Sequence, residues 1–162
     1  MTTVNDTPAF RAAAESGLDF EIVRTERPKS VVESAELQGI KVGELLRTIV
    51  VRRGADDYVF VLVPGGRHID WPKLRGHLGV KRLSLPDEAE AKEATGYERG
   101  SITPFGSSTS WPVIADATVT RLQRVAIGGG ARGVNLHMAA NQLVDHLHAD
   151  VADVTHAGHL RE

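Results

Sequence analysis

Cysteine is absent from the 162 residues, which excludes disulfides, thiolate metal sites and a cysteine nucleophile. Long apolar runs are absent too. The longest, such as Val59-Phe60-Val61-Leu62-Val63, is far too short to cross a bilayer. The opening residues Met1-Thr2-Thr3-Val4-Asn5-Asp6 lack the basic start and apolar stretch of a secretory signal, so a cytoplasmic protein without a membrane partner is expected. No internal repeat or low-complexity linker breaks the chain, and its length suits one compact domain spanning residues 1–162. There is no excess of positive charge: 19 basic side chains stand against 21 acidic ones, which argues against a domain that wraps duplex DNA.

The near-neutral balance conceals an asymmetry. Residues 37–85 carry nine basic and four acidic side chains, and acidic flanks lie on both sides. This basic middle, with Arg52, Arg53, Arg67, Lys73, Arg75, Lys81 and Arg82, could steer a phosphate-bearing partner or form an ordinary solvated surface.

Helical and strand signals alternate along the chain. Pro8 opens a short helix that Gly17 closes, and Phe20 to Thr25 alternates as a half-buried strand. Ser30-Val31-Val32-Glu33 has the spacing of a capping box, and Gly39 supplies the matching stop. Thr48–Val51 and Tyr58–Val63 flank turn residues and read as an antiparallel hairpin, apolar enough to be covered on both faces. Asp70 caps a helix to about Leu78, and another short helix follows Pro86. Strands near Val113–Ala115, Arg124–Ile127 and Val134–Met138 and a helix over about Ala140–His148 complete an α+β pattern with a mixed sheet.

Several signatures of known chemistry are missing. Gly128-Gly129-Gly130-Ala131-Arg132-Gly133 lacks the Gly-Lys-Ser/Thr of a phosphate loop and precedes a strand, so a turn beside a pocket is expected. No Gly-x-Ser-x-Gly elbow and no His-Glu-x-x-His pattern occurs. Five histidines crowd the last quarter, with His156 and His159 in an expected frayed tail, and they read as solvated surface rather than metal ligands. No cofactor is expected. Asp116 follows an apolar strand, a position as common for a cap as for a catalytic carboxylate.

The most distinctive stretch is Gly96 to Trp111, where periodicity disappears among three glycines, one proline and six serines or threonines. Long loops in compact domains are often functional. Within it, Gly100-Ser101-Ile102-Thr103-Pro104-Phe105-Gly106 could aim main-chain amides at a carbonyl oxygen, or could simply turn.

Taken in order, these segments resemble the YbaK/EbsC family, free-standing relatives of the editing domain inserted in bacterial prolyl-tRNA synthetase. The resemblance runs from about Ala9 to Thr155. It rests on Arg47-Thr48-Ile49-Val50-Val51, Val63-Pro64-Gly65-Gly66, Trp71-Pro72-Lys73-Leu74, Thr95-Gly96-Tyr97, the Gly100–Pro104 loop, and Gly129-Gly130 followed by Gly133 to Leu136.

The resemblance implies a curved mixed β-sheet or partial barrel flanked by helices. It implies hydrolysis of the ester between a wrong amino acid and the 3′-terminal adenosine of a tRNA, without a metal and with help from the tRNA terminus in activating water. It assigns Arg47 and Gly100 to catalysis, and Thr48, Ser101, Ile102, Thr103, Pro104, Gly129, Gly130 and Asn135 to substrate binding. The partner is mischarged tRNA, and an aminoacyl-tRNA synthetase is admitted as a second. Three positions depart from the pattern: Arg47 replaces the family lysine, Asn135 stands where some relatives carry aspartate, and Thr25 where some place an aromatic residue. The Arg47 exchange leaves open a weaker alternative, a module that binds tRNA ends or aminoacyl ligands with little turnover.

Overall fold

In the computed structural model, which describes residues 7–158, chain order runs α1 (Pro8–Glu15), β1 (Phe20–Arg24), α2 (Val31–Gln38), β2 (Leu46–Gly54), β3 (Asp57–Pro64), β4 (Arg67–Ile69), α3 (Trp71–Leu78) and α4 (Glu88–Thr95). After a long loop come β5 (Val113–Asp116), β6 (Arg124–Gly128), β7 (Val134–Ala139), α5 (Ala140–His146), β8 (Asp150–Ala152) and β9 (Thr155–Ala157). Short 3-10 turns at Val42–Glu44 and Ala117–Arg121 precede β2 and follow β5.

The strands form two main sheets. One is antiparallel with order β1-β7-β6; the other is mixed, with order β2-β3-β5-β8, its first pair antiparallel and the next two parallel. A parallel bridge between Leu45 and Ala126 joins them at one seam. The curved sheet implied by the resemblance is therefore an open arrangement of two sheets. They part because β6 ends at Gly128 while β2 continues to Gly54.

The space between the sheets is the larger core. Leu46, Val50, Phe60 and Leu62 from the mixed sheet meet Val125, Ile127, Leu136 and Met138 from the other, with Ala9 and Ala13 of α1 and Leu143 of α5 closing the edges. The opposite face of β3 presents Val59, Val61 and Val63 to Leu74 of α3 and to Val154. The expected hairpin is thus β2–β3, and seven of the eight residues of β3 are buried, so it is covered on both faces.

Local signals set most boundaries. Asp70 accepts from the Lys73 amide at 3.1 Å to start α3. Ser30 Oγ accepts from the Glu33 amide at 3.0 Å as the capping box predicts, but the Glu33 carboxylate takes the Lys29 amide at 3.1 Å instead of that of Ser30. The reciprocal bond has slipped back by one residue. The C-terminal segment is also more ordered than expected: Thr155–Ala157 is β9, paired with β4 so that His156 faces His68. His159 lies outside the described residues.

Candidate functional site

Where the two sheets part, a cleft opens in two connected halves. One half, about 530 Å³, is lined by β2 from Leu46 to Val50, by Leu85 and Pro86, and by Gly100 and Ile102 of the long loop. The other half, about 330 Å³, lies between Thr25, Arg27 and Ser34 on one side and Ala131 to Asn135 on the other. Arg99, Gly100, Gly128 and Asn135 border both.

β2 meets this space as an edge strand. Arg52 bonds outward to Ser84 in both directions, N–H to carbonyl at 2.8 Å and the reverse at 3.1 Å. Alternation along the strand sends the main-chain groups of Val50 and Thr48 the same way, into the cleft. The Thr48 side chain shares a face with Leu46 and Val50, toward the other sheet, and its Oγ1 is enclosed without a hydrogen-bond partner.

Thr25 Oγ1 and Arg47 Nε are enclosed in the same unpartnered way. Buried polar atoms are ordinarily satisfied; of the five without a hydrogen-bond partner among the described residues, three belong to residues that border this cleft, which marks it as a place where water or ligand completes the bonding. The rest of the Arg47 side chain is anchored: Nη2 donates to the main-chain carbonyl of Arg67 on β4.

The loop is held firmly from behind. Tyr97 Oη donates to the Phe105 carbonyl at 2.7 Å, and burial pushes the phenol pKa up to about 12, so it stays a donor across the ordinary pH range. The Phe105 ring stacks on His146 at 5.5 Å with planes 5° apart. At the front, Gly100 has φ +93°, a conformation that side chains disfavour. The Ser101 amide is used by the Glu98 carbonyl at 3.0 Å, whereas the amides of Gly100 and Ile102 bond to no main-chain carbonyl among the described residues.

The expected site residues therefore divide. Arg47, Thr48, Gly100, Ile102 and Asn135 line the cleft together. Ser101 Oγ donates to the Glu98 carbonyl at 2.9 Å, tightening the turn beside it. Thr103 is fully buried, and Pro104 lines a separate 380 Å³ hollow behind the loop with Phe105, Trp111 and His146. Gly129 and Gly130 are packing positions: a β-carbon would stand 2.6 Å from Val134 Cγ1 at the first and 3.1 Å from Ala9 and Tyr97 at the second. Their neighbour Gly128 is the one that reaches the cleft.

Other candidates settle into structural or peripheral places. Asp116 is 1 % exposed and accepts from the Val154 amide at 3.1 Å and from the amide and hydroxyl of Thr118. It fastens β5 to the turn after it and to the C-terminal segment. His137 lies behind the cleft wall, its Nε2 2.8 Å from Gln38 Oε1 of α2, and burial lowers its pKa below the usual histidine value. Among the described residues, no three histidine, aspartate or glutamate side chains are arranged to hold a metal ion. The basic middle is split: Arg52, Arg53, Arg75, Lys81 and Arg82 surround one 520 Å³ groove. Lys73 instead pairs with Asp153 at 3.1 Å, and Arg67 binds Thr155 Oγ1 at 2.7 Å. Sequence reasoning missed Arg27, Ser34, Leu85 and Arg99 as cleft-lining residues, whereas Arg132 lies in the glycine-rich turn expected beside a pocket.

A model of the aminoacyl-tRNA editing domain family matches residues 25–146. EbsC of Enterococcus faecalis, proposed to be a Cys-tRNA(Pro)/Cys-tRNA(Cys) deacylase, is 23% identical over 137 residues, covering 85% of this chain and 84% of that protein. A proline–tRNA ligase of Ligilactobacillus salivarius is 30% identical over 134 residues, which are 81% of this chain but only 23% of the ligase. Among solved structures, a proposed trans-editing enzyme for prolyl tRNA synthetase shares the fold at a TM-score of 0.87, with 22% identity over 97% of this chain and 99% of that one. The hypothetical protein APE2540 superposes at 0.83, with 25% identity over 92% and 99%.

Proposed function

The chain belongs to the aminoacyl-tRNA editing domain family, and from that premise we propose that it is a trans-editing hydrolase, removing wrongly attached amino acids from the 3′-terminal adenosine of tRNA. The observation that carries this reading is a cleft bordered by three residues with unsatisfied buried polar atoms, Thr25 Oγ1, Thr48 Oγ1 and Arg47 Nε. A ligand rich in hydroxyl and carbonyl oxygens completes such a set.

The chemistry needs little from the protein beyond position. Water adds to the ester carbonyl carbon, the bond from that carbon to the ribose oxygen breaks, and the ribose oxygen leaves with a proton. The free amides of Gly100 and Ile102 and the edge amides of β2 are the donors available to a developing oxyanion, and such preorganised donors supply much of the rate in acyl transfer. Thr48 and Asn135 orient the aminoacyl ester across the cleft. The Arg47 guanidinium, bonded to the Arg67 carbonyl on the far face of β2, adds fixed positive charge beneath the strand that borders the cleft, and being permanently protonated it takes no part as a base. The bounded cleft admits a small side chain and turns away a larger cognate one, the logic of a second sieve. A cytoplasmic setting and an aminoacyl-tRNA synthetase as partner accord with this activity.

One observation favours a second reading. The Arg47 head is tied to the Arg67 carbonyl rather than free in the cleft, which suits a module that holds charged tRNA ends without turning them over. A panel of mischarged tRNAs incubated with the protein in excess chelator separates the two. Loss of particular amino acids over time supports the hydrolase, whereas tight binding with every ester intact establishes the module.

A further inference from the structure

We infer that the arginine-lined end of the cleft is a binding site for the phosphodiester that immediately precedes the esterified adenosine. The inference deepens the deacylase reading and rests on it for the identity of the ligand.

Three arginines from separate elements border the smaller half of the cleft: Arg27 from the connection after β1, Arg99 from the long loop and Arg132 from the turn between β6 and β7. Two of these segments are locked together. The Thr25 amide donates to the Gly133 carbonyl at 2.9 Å, and a β-carbon at Gly133 would lie 2.6 Å from the Thr25 carbonyl oxygen. Only glycine allows that approach, so the glycine-rich turn carries Arg132 to the same wall as Arg27. The third segment reaches them through Arg132 itself. Its Nη2 is 3.5 Å from the Arg99 carbonyl, and its guanidinium lies against Gly100, 3.6 Å from where a β-carbon would stand.

The charge is uncompensated where it matters. Arg99 pairs with Glu88 at 3.4 Å, and Glu98 is engaged by Lys92 at 3.4 Å. Arg27 and Arg132 have no acidic partner among the described residues. Two exposed, unpaired guanidinium groups at the mouth of a concave site suit an anion that must continue outward into solvent. A nucleic-acid strand does this. A 3′-terminal nucleotide with its ester among Thr48, Gly100 and Asn135 carries its 5′-phosphate only a handful of bonds away, and the smaller half of the cleft is continuous with that position through Arg99, Gly100, Gly128 and Asn135.

Binding of the unesterified dinucleotide CpA, compared with adenosine, tests the site without relying on turnover. The parent protein is expected to prefer CpA by at least about tenfold, and Arg27→Gln combined with Arg132→Gln to reduce that preference to about twofold or less. The Arg27→Lys, Arg132→Lys pair keeps most of the preference, because the charge remains. Arg121→Gln, an exposed arginine on the turn after β5, keeps all of it. A parent that binds CpA and adenosine alike, or a double glutamine variant that still prefers CpA, overturns the site. Aminoacyl esters of CpA assayed on the same samples separate the two ideas: the CpA preference without any ester loss refutes the hydrolase while the phosphate site stands.

Discussion

The guanidinium of Arg47 donates through Nη2 to the main-chain carbonyl of Arg67, so the cation at the start of β2 is held by the start of β4. Arg67 is itself fastened, its Nε 2.7 Å from Thr155 Oγ1 and 3.9 Å from Asp116 Oδ2. The charge beneath the strand that borders the cleft is therefore positioned from the C-terminal segment, seven strands later in the chain. Removing it in Arg47→Ala is expected to lower deacylation at least tenfold, about 1.4 kcal/mol of transition-state stabilisation. Arg47→Lys, which frees the head from the Arg67 carbonyl, is expected to keep or raise activity. Single-turnover rates on a mischarged tRNA check both, and parental rates in Arg47→Ala would remove the residue from the mechanism.

The groove formed by Arg52, Arg53, Arg75, Lys81 and Arg82 lies beyond the Arg52–Ser84 pairing from the cleft. Arg52 and Arg53 are partly neutralised by Glu90 at 3.1 Å and Asp57 at 3.0 Å, leaving Arg75, Lys81 and Arg82 as its unpaired cations among the described residues. If the acceptor stem rests there, neutralising those three with glutamine lowers the slope of log affinity against log salt by roughly two to three. Lys73→Gln, on another surface, leaves the slope as it was. An unchanged slope in the triple variant assigns the groove to solvent.

Much of this architecture is written locally, and the cleft is not. Asp70, Ser30 and the apolar runs of β2 and β3 announce their elements because caps and dense β-branched stretches act within a few residues. The strands β4, β8 and β9 have three residues each and exist only through partners far along the chain, as Arg67–Ile69 does against Thr155–Ala157. No pattern in Arg67-His68-Ile69 could announce that. The same holds at the site. Gly100, Arg47 and Arg132 stand in recognisable segments, but Arg27, Leu85 and Ser34 become neighbours of the cleft only because two sheets diverge after one bridge. Pro104 shows the converse: one loop has two sides, and the spacing of its residues does not say which side faces the ligand.

Asp116 makes stability depend on acid. Burial alone would raise its pKa, but bonds from the Thr118 hydroxyl and amide, the Val154 amide and Thr155 outweigh it and hold the carboxyl below its usual value. A carboxylate with a lowered folded pKa contributes stability that is fully present above the unfolded value of about 3.9 and is lost as pH falls through the folded one. Asp116→Asn removes this contribution and places an amide donor among donors, at a cost of about 1–3 kcal/mol near neutrality. Denaturant unfolding at several pH values is expected to show the gap between parent and variant closing below about pH 4. A gap that stays constant into acid would mean the carboxylate charge is immaterial.

Gly100 and Pro104 bracket one loop yet are expected to fail differently when changed. At Gly100 the left-handed φ of +93° costs an alanine about 1–2 kcal/mol, whatever space surrounds it. The space itself is open except for the Arg132 guanidinium, which an added methyl would touch at 3.6–3.8 Å without a clash. Relief of the strain requires the loop to shift, and that shift moves the Gly100 and Ile102 amides on the cleft side. Gly100→Ala is therefore expected to lose turnover or change its preference among amino acids while remaining folded. Pro104 lies behind the loop in the hollow with Phe105 and His146, so Pro104→Ala loosens the backing and acts through stability, with the order of preferred amino acids kept. Melting temperature and deacylation of several mischarged tRNAs, measured on the same preparations, distinguish the two. A Gly100→Ala protein that melts early yet hydrolyses every substrate in parental proportion would reduce Gly100 to a turn residue and take the loop out of the specificity pocket.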